Sequence, residues 1–195
     1  ALGRGAGALL TTGSNNITAG TLETTFDSTN VAVNSEIGWS GGTPEAAALA
    51  TSQAAITRQL GDYQFVDQRG QAFRLSDLSG KPVVLSLVYS SCYYVCSGLT
   101  VHLRDVSKVA WKALGPDSFT VLTVGFDTPN DTPERMRLFA QDRGADMPGW
   151  YFASTDAATL ERLARDVGFT YRASPKGFDH ITQTTVIDRA GRVVL

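Results

Sequence analysis

The only two cysteines of the chain lie four residues apart, at Cys92 and Cys96. They directly follow residues 82–88, an apolar run with the β-branched and aliphatic composition of a buried strand. The pair is therefore predicted to lie where this strand ends and a helix begins. Helix N-termini favour anions, so we expect a lowered thiol pKa that makes thiolate available for disulfide chemistry or for a soft metal. Two chemistries compete for this one site.

The number of metal-ligating residues helps to separate the two chemistries. A closed zinc site usually takes four Cys or His ligands, whereas the whole chain has two cysteines and two histidines. Two thiolates and one imidazole suit copper better, because thiolate is a soft ligand for Cu(I) and the affinity order of divalent ions peaks at Cu(II). We therefore expect one copper ion per chain, with His102 or His180 as the third ligand.

The elements that must position these residues follow from periodicity and turn signals. The pattern predicts an N-terminal β-hairpin (63–67 and 71–75), strand 82–88, a helix ending near 115, strand 119–124, a helix from 133 to 144, strand 150–152, a helix through 167, and a second hairpin (184–188 and 192–195). The predicted apolar face of the helix after the cysteines consists of Leu99, Leu103, Val106, Ala110 and Ala113. This order predicts an α/β, thioredoxin-like fold.

The first part of the chain has a different composition. Residues 1–42 are dominated by Gly, Ser, Thr and Asn, which is typical of a linker or of a short irregular β segment. Thr43-Pro44-Glu45 then predicts the start of a short helix that stops at Gly61. The chain is therefore divided into an irregular extension with this helix, residues 1–60, and a thioredoxin-like domain, residues 61–195.

The two histidines differ in their expected positions. His102 follows Cys96 by six residues on the same predicted helix, and this turns it about 240° away from the Cys96 face. His180 lies in a glycine-containing loop, residues 176–182, just before the last predicted core strand. In a thioredoxin-like sheet this loop lies beside the cysteine loop. His180 is therefore the predicted ligand, and His102 is not.

Several segments resemble the Sco/SenC family in order and spacing over about residues 61–195. They are Gly80-Lys81-Pro82-Val83-Val84-Leu85, the C-x-x-x-C pair, the run GFDTPNDTPE at 125–134, and Phe178-Asp179-His180. The resemblance implies a thioredoxin-like protein that binds one copper ion through Cys92, Cys96 and His180. In one respect the sequence departs from the family, because Tyr93 and Ser97 follow the cysteines where the family usually has Pro. Pro fixes φ and removes an N–H, so a looser loop with extra donors is expected.

The resemblance also implies a function and a location. Members of the family deliver copper to the cysteines of the CuA site of cytochrome c oxidase, or keep those cysteines reduced. The implied partners are subunit II of the oxidase or another cuproprotein, together with a second copper chaperone. The implied location is periplasmic or otherwise extracytoplasmic, with a membrane tether outside this chain.

A second function stays open from the residues alone. In a thiol-disulfide oxidoreductase, Cys92 would attack and Cys96 would resolve. Reductants of this kind usually carry C-x-x-C and a cis-Pro before the facing strand, whereas here residues 181–183 contain no Pro. A thiol peroxidase is less favoured still, because residues 88–91 offer no Pro ahead of the nucleophile. A metallochaperone has no turnover chemistry of its own, so enzymatic activity is left open.

Other residues near the motifs have weaker functional signals. Asp131 is assigned to structure, beside a helix capped by Thr132. Asp127 is expected to end a core strand near the cysteines, where it is a candidate outer-shell or docking residue. Asp179 is a candidate for orienting His180. Tyr93 and Tyr94 are expected to be exposed aromatic residues of a docking surface; they lie outside the residues described below.

Composition excludes several classes of partner. A net charge of −2, with 18% charged residues, gives no electrostatic case for nucleic acid or an anionic membrane. No stretch approaches the roughly 20 apolar residues of a membrane helix, and residues 1–10 are too short and glycine-rich for a signal peptide. We expect a targeting segment to have been removed and both ends to be trimmed, because the chain lacks an initiating Met and stops within a predicted strand.

Overall fold

A computed structural model describes residues 43–92, 95–175 and 177–195 of the chain. The helices are α1 (Thr43–Gln53), α2 (Val95–Leu114), α3 (Pro133–Asp142) and α4 (Ala157–Val167), with a 3-10 turn at Leu75–Leu78. The strands are β1 (Gln64–Asp67), β2 (Ala72–Arg74), β3 (Val83–Val88), β4 (Thr120–Gly125), β5 (Trp150–Ser154), β6 (Tyr171–Ser174), β7 (Gly177–His180) and β8 (Thr184–Ile187). Within these residues, no helix is long and apolar enough to cross a membrane.

The strands form one main sheet and one small ladder. The main sheet has the order β2-β1-β5-β4-β3-β8, and β6 pairs with β7 in a separate two-stranded sheet. Strands β3, β4 and β5 are parallel, while β1 and β8 run antiparallel to their neighbours. The predicted α/β, thioredoxin-like fold is confirmed. Because β3 and β4 are parallel, the segments after Val88 and Gly125 leave the sheet side by side, at the carboxyl ends of these strands.

The core lies on the parallel strands of the sheet. All six residues of β4 and five of the six in β3 are buried, as expected for parallel strands covered on both faces. Its largest fully buried side chains include Trp150, Phe65, Phe152, Leu85 and Leu122. These rigid strands deliver the cysteine segment and the segment after β4 to one edge.

Helix α1 is shorter than the sequence pattern predicts. It ends at Gln53, so the predicted continuation to Gly61 is wrong. The Thr57 N–H donates to the Val193 carbonyl at 2.7 Å, and the Leu60 N–H donates to the Gly191 carbonyl at 2.9 Å. N–H groups of this segment therefore donate to a distant part of the chain, and they are not available to continue the helix.

The buried face of α2 also differs from the predicted one. The residues that are fully buried are Cys96, Thr100, Leu103 and Ser107. Apolar periodicity selects Leu99, Val106 and Ala113 instead, and Ala113 is exposed. Thr100 tolerates burial because its hydroxyl donates to the Cys96 carbonyl at 2.8 Å. The consequence is that Cys96 lies on the face that packs against the sheet.

The C-terminal part contains one hairpin that the pattern misses and one that is shorter than predicted. His180 belongs to β7, which pairs with β6, and does not lie in an open loop. The signal was present, because Pro175 and Gly177 are spaced as in a β-turn. After β8, the predicted partner strand 192–195 forms only isolated bridges, one of them between Ile187 and Val193.

Candidate metal centre

Cys92 lies in a turn just beyond the end of β3. Its N–H donates to the Tyr89 carbonyl at 3.0 Å, and its residue surface is 8% exposed. The N–H of Cys96, in the first turn of α2, donates to Cys92 Sγ at 3.4 Å. The first N–H groups of a helix have no partner inside the helix. The Cys92 sulfur therefore satisfies one of them, and this fixes the two cysteines beside each other.

His180 is oriented by the backbone of the next residue. Its Nδ1 lies 2.9 Å from the Ile181 carbonyl oxygen. Because a carbonyl can only accept, Nδ1 carries a proton, and in the neutral ring Nε2 keeps its lone pair. That Nε2 lies 3.8 Å from Cys96 Sγ. The predicted meeting of the histidine segment and the cysteine segment at one edge of the fold is therefore observed.

Aromatic side chains hold the imidazole from several sides. The His180 ring centroid lies 5.7 Å from that of Tyr89, 5.2 Å from that of Phe126 and 6.0 Å from that of Phe169. The rings of Tyr89 and Phe126 meet the imidazole edge to face, a preferred geometry for aromatic pairs. Gly177 is required at the start of β7, because its φ is 116° and a Cβ there would lie 3.1 Å from the Tyr89 hydroxyl.

The pKa of the Cys96 thiol is raised, contrary to the expectation from the helix N-terminus. The largest cause is its hydrogen bond with Cys92, followed by burial and by the charge of Cys92. Burial, followed by the charge of Cys92, also raises the pKa of Tyr89 to about 12. Two sulfurs this close do not both lose their protons without a cation. A metal ion would supply that cation, and its binding would release the second proton.

Part of the predicted ligand set is spaced as a metal ion requires. Within residues 43–92, 95–175 and 177–195, no group of three or more His, Cys, Asp or Glu side chains is arranged, as the side chains stand, so that it could hold a metal ion. Bonds of about 2.3 Å to sulfur and about 2.0 Å to nitrogen, meeting at about 120°, place the two donor atoms about 3.7 Å apart. The separation of 3.8 Å between Cys96 Sγ and His180 Nε2 fits this value. Two of the three predicted donors are thus spaced for one ion, and the Cys92 sulfur lies beside them.

Asp131, after β4, joins two segments close to the candidate metal centre. Its Oδ1 accepts from the Ser90 N–H at 2.8 Å, and its Oδ2 accepts from the Asp127 N–H at 2.9 Å. The residue is 1% exposed, and burial raises the pKa of its carboxyl group despite these hydrogen bonds. One carboxylate therefore ties the segment after β3, which carries Cys92, to the segment after β4.

The close approach of Asp131 depends on a glycine. A Cβ on Gly125 would lie 2.5 Å from Asp131 Cβ, which no real pair of carbons tolerates. The predicted cap is also present, because Thr132 accepts from the Arg135 N–H at 3.3 Å. In the sequence, capping by Thr132 was enough to explain residues 131–134. The hydrogen bonds that Asp131 accepts from the Ser90 and Asp127 N–H groups were therefore not predicted.

The remaining predicted residues are distributed as follows. The Asp127 carboxylate accepts from the Asn130 side chain at 2.9 Å, and its proposed outer-shell role stays a prediction. Asp179 does not orient His180, because its carboxylate pairs with Arg172 Nε at 3.1 Å across the β6–β7 ladder. His102 lies on α2, and its buried Nε2 has no hydrogen-bond partner among the residues that the structure describes.

Replacing Asp131 by Asn is expected to destabilise the fold by about 1–3 kcal/mol. The new amide group would turn a donor toward one of two partly buried N–H donors, so one of them loses its acceptor. Urea unfolding followed by circular dichroism measures the change. Asp127→Asn is the matched control, because its carboxylate accepts an exposed hydrogen bond, and it should cost less than about 0.5 kcal/mol. Equal losses in the two variants would contradict the role of Asp131 in joining the segments after β3 and β4.

Comparisons with known proteins agree on one family. The family model described as SCO1/SenC matches residues 51–195. A SCO1 protein homolog of Bacillus subtilis (strain 168) is 25% identical over 122 residues, which are 61% of this chain and 61% of that protein. The chain thus spans about 61% of the length of the curated relative that it matches.

Two solved structures are similar over most of the described residues. Bradyrhizobium japonicum ScoI with copper bound is 26% identical, with a TM-score of 0.60 over 70% of this chain and 87% of that chain. A SCO1/SenC family lipoprotein of Bacillus anthracis str. Ames is 24% identical, with a TM-score of 0.64 over 70% of this chain and 82% of that chain. The second likeness shows the fold alone.

Proposed function

Because the chain belongs to the SCO1/SenC family, we propose that it is a copper-binding metallochaperone that carries one copper ion on Cys92, Cys96 and His180. The observation that carries the proposal is the approach of His180 Nε2 to Cys96 Sγ, 3.8 Å apart, with the lone pair of Nε2 left free by the bond from Nδ1 to Ile181. A carbonyl that holds the far nitrogen of a histidine is a frequent arrangement behind metal-ligating imidazoles.

The donor set favours copper over other metals. Two thiolates and one imidazole are soft and borderline ligands, which select Cu(I) and bind Cu(II) more strongly than most divalent ions. The similar ScoI of Bradyrhizobium japonicum is described with copper bound, which supports the same cargo here. Copper is the substrate of the transfer, so the role of the protein is to bind the ion and to release it by ligand exchange.

Burial suggests where that exchange begins. Cys96 is 1% exposed and Cys92 is 8% exposed, whereas His180 is only partly buried, at the end of the β6–β7 ladder. An incoming ligand from a partner therefore reaches the ion from the His180 side. The two sulfurs are released afterwards, when protons return to them.

The recipient that we propose is the CuA site of cytochrome c oxidase subunit II or a related cuproprotein. The family resemblance supports this choice. The same resemblance supports an extracytoplasmic location, with a membrane tether outside this chain. A second copper chaperone is the proposed donor of the ion.

A thiol-disulfide oxidoreductase is the second candidate, favoured by the hydrogen bond from the Cys96 N–H to Cys92 Sγ. Such a bond stabilises a thiolate at the position expected of an attacking cysteine. However, attack on a protein disulfide requires access to the sulfur, and both cysteines are buried. The geometry therefore favours the copper carrier.

The test is an anaerobic titration of the reduced protein with Cu(I) and, separately, Cu(II). We expect one equivalent to bind in each case, with a thiolate-to-copper charge-transfer band for Cu(II). Reduction of an insulin disulfide is measured in parallel. A protein that reduces insulin efficiently but binds no copper would replace the first function by the second.

A further inference from the structure

Arg143, the residue directly after α3, reaches across to the first turn of α2. Its Nε and Nη2 donate to Ser97 Oγ, at 3.0 Å and 2.5 Å. Ser97 is the residue after Cys96. A guanidinium that gives two hydrogen bonds to one hydroxyl is a charge-assisted and directional contact. Cys96 is therefore followed by a residue that is held by hydrogen bonds from the end of α3.

The same hydroxyl continues the contact to the first cysteine. Ser97 Oγ donates to the Cys92 carbonyl oxygen at 3.4 Å. A serine hydroxyl has one proton and two lone pairs, and this arrangement uses all three. A chain of hydrogen bonds thus runs from Arg143 through Ser97 to the backbone of Cys92.

Arg143 is itself fixed in place on both sides. Its Nη1 donates to the Phe139 carbonyl at 2.9 Å, and its guanidinium carbon lies 3.6 Å from the centroid of the Phe139 ring. Its own carbonyl accepts from Arg104 Nη1, on the third turn of α2, at 2.6 Å. The side chain and the carbonyl of one residue therefore join α3 to α2 at two levels.

The first turn of α2 needs such support. It contains no acidic residue, and its free N–H groups depend on partners outside the helix. One of them, the N–H of Cys96, donates to the sulfur of Cys92. Movement of the Cys92 backbone would therefore change both the start of the helix and the separation of the two sulfurs.

We propose that Arg143 is a positioning residue of the metal centre, which acts through Ser97 to fix the backbone of Cys92 and the first turn of α2. The proposal rests on the proposed function for its effect on copper. Its effect on the backbone is independent of any metal, so the two are tested separately.

The first test uses the metal-free, reduced protein. In Arg143→Met, which keeps an aliphatic stem over Phe139, hydrogen exchange of the Cys96 and Ser97 amides measured by NMR is expected to be about tenfold faster. Ser97→Ala should give the same increase, and the double variant should add nothing, because both changes break one chain of contacts. Arg143→Lys, which keeps a charged donor, should restore part of the protection.

Arg137→Met is the matched control for the arginine substitution. Arg137 lies on α3, and among the described residues its side chain contacts Gln141 and Glu134 of the same helix. The same change should leave exchange of the α2 amides as in the wild type. Unchanged exchange in Arg143→Met, or additive effects of the two changes at 97 and 143, would overturn the proposal.

The second test measures the anaerobic Cu(I) affinity of the same variants. Arg143→Met and Ser97→Ala should each weaken binding about tenfold, as expected of residues behind the ligands, and together no further. Faster exchange with unchanged affinity would show a structural contact alone and overturn the positioning role. If the wild-type protein binds no copper, the proposed function fails. In that case, the hydrogen-exchange experiment and the reduction potentials of the Cys92–Cys96 pair decide the role of Arg143. Equal potentials in the wild type and in the same variants would overturn it.

Discussion

His180→Ala is expected to weaken Cu(I) binding by at least about 100-fold, because it removes a proposed direct ligand, and loss of a residue behind a ligand already costs about 10–100-fold. The fold should remain, since the imidazole lies at the end of β7, outside the six-stranded sheet. We expect the free energy of unfolding to fall by no more than about 1–2 kcal/mol from lost ring contacts. Competition with a chromophoric Cu(I) chelator measures the affinity, and urea unfolding measures the stability.

His102→Ala is the matched control, because it removes the other histidine of the chain. His102 lies on α2, six residues after Cys96, and its helical phase turns it away from the cysteine face. This variant should bind one equivalent of copper with an unchanged charge-transfer band. Wild-type affinity in His180→Ala, or a lost band in His102→Ala, would mean that the third ligand has been assigned to the wrong residue.

Local sequence signals were sufficient for the strand ends that position the cysteines and for the N-cap of α3. The run 82–88 and the Thr132-Pro133-Glu134 triplet carry their information within a few residues, so β3 and α3 could be predicted. The fold class follows from the order of such elements. Contacts between residues far apart in the chain cannot be predicted from such local signals.

Several of the features that were missed depend on contacts between residues far apart in the chain. Helix α1 ends early because Thr57 pairs with Val193. Asp131 accepts from the Ser90 N–H, 41 residues earlier, whereas its sequence neighbours suggest only a helix cap. The aromatic rings around His180 come from three separate elements, among them Phe126 after β4. Periodicity cannot find such contacts, since each residue is compared only with its neighbours.

The pKa of Cys96 was also beyond a local interpretation. A helix N-terminus by itself lowers a thiol pKa, but a neighbouring sulfur and burial act in the opposite direction and prevail here. In the metal-free protein the second proton of the pair is therefore held firmly. On the proposed function, copper would have to displace this proton, which favours a cation that binds thiolate strongly.

Oxidation of the metal-free protein to a Cys92–Cys96 disulfide is expected to abolish high-affinity copper binding, with a larger loss than His180→Ala gives. The two cysteines are not joined in a disulfide in the structure, and the Cys96 N–H already contacts Cys92 Sγ. Disulfide formation joins the two sulfurs and passes two electrons and two protons to the oxidant, for example diamide. Neither sulfur then remains as a thiolate, and His180 is left as the only one of the three proposed ligands.

The experiment is to oxidise the metal-free protein with one equivalent of diamide, confirm the loss of free thiol, and measure Cu(I) binding without a reductant. Reduction should restore one equivalent, and copper loaded before diamide is added should protect both thiols from oxidation and alkylation. Cys92→Ser, which cannot form the internal disulfide, should give the same weakened binding before and after diamide, once any disulfide-linked dimer has been removed. Because the oxidised site keeps a single nitrogen ligand, undiminished affinity in the oxidised wild type would mean that copper binds elsewhere, and the metallochaperone proposal would have to be abandoned.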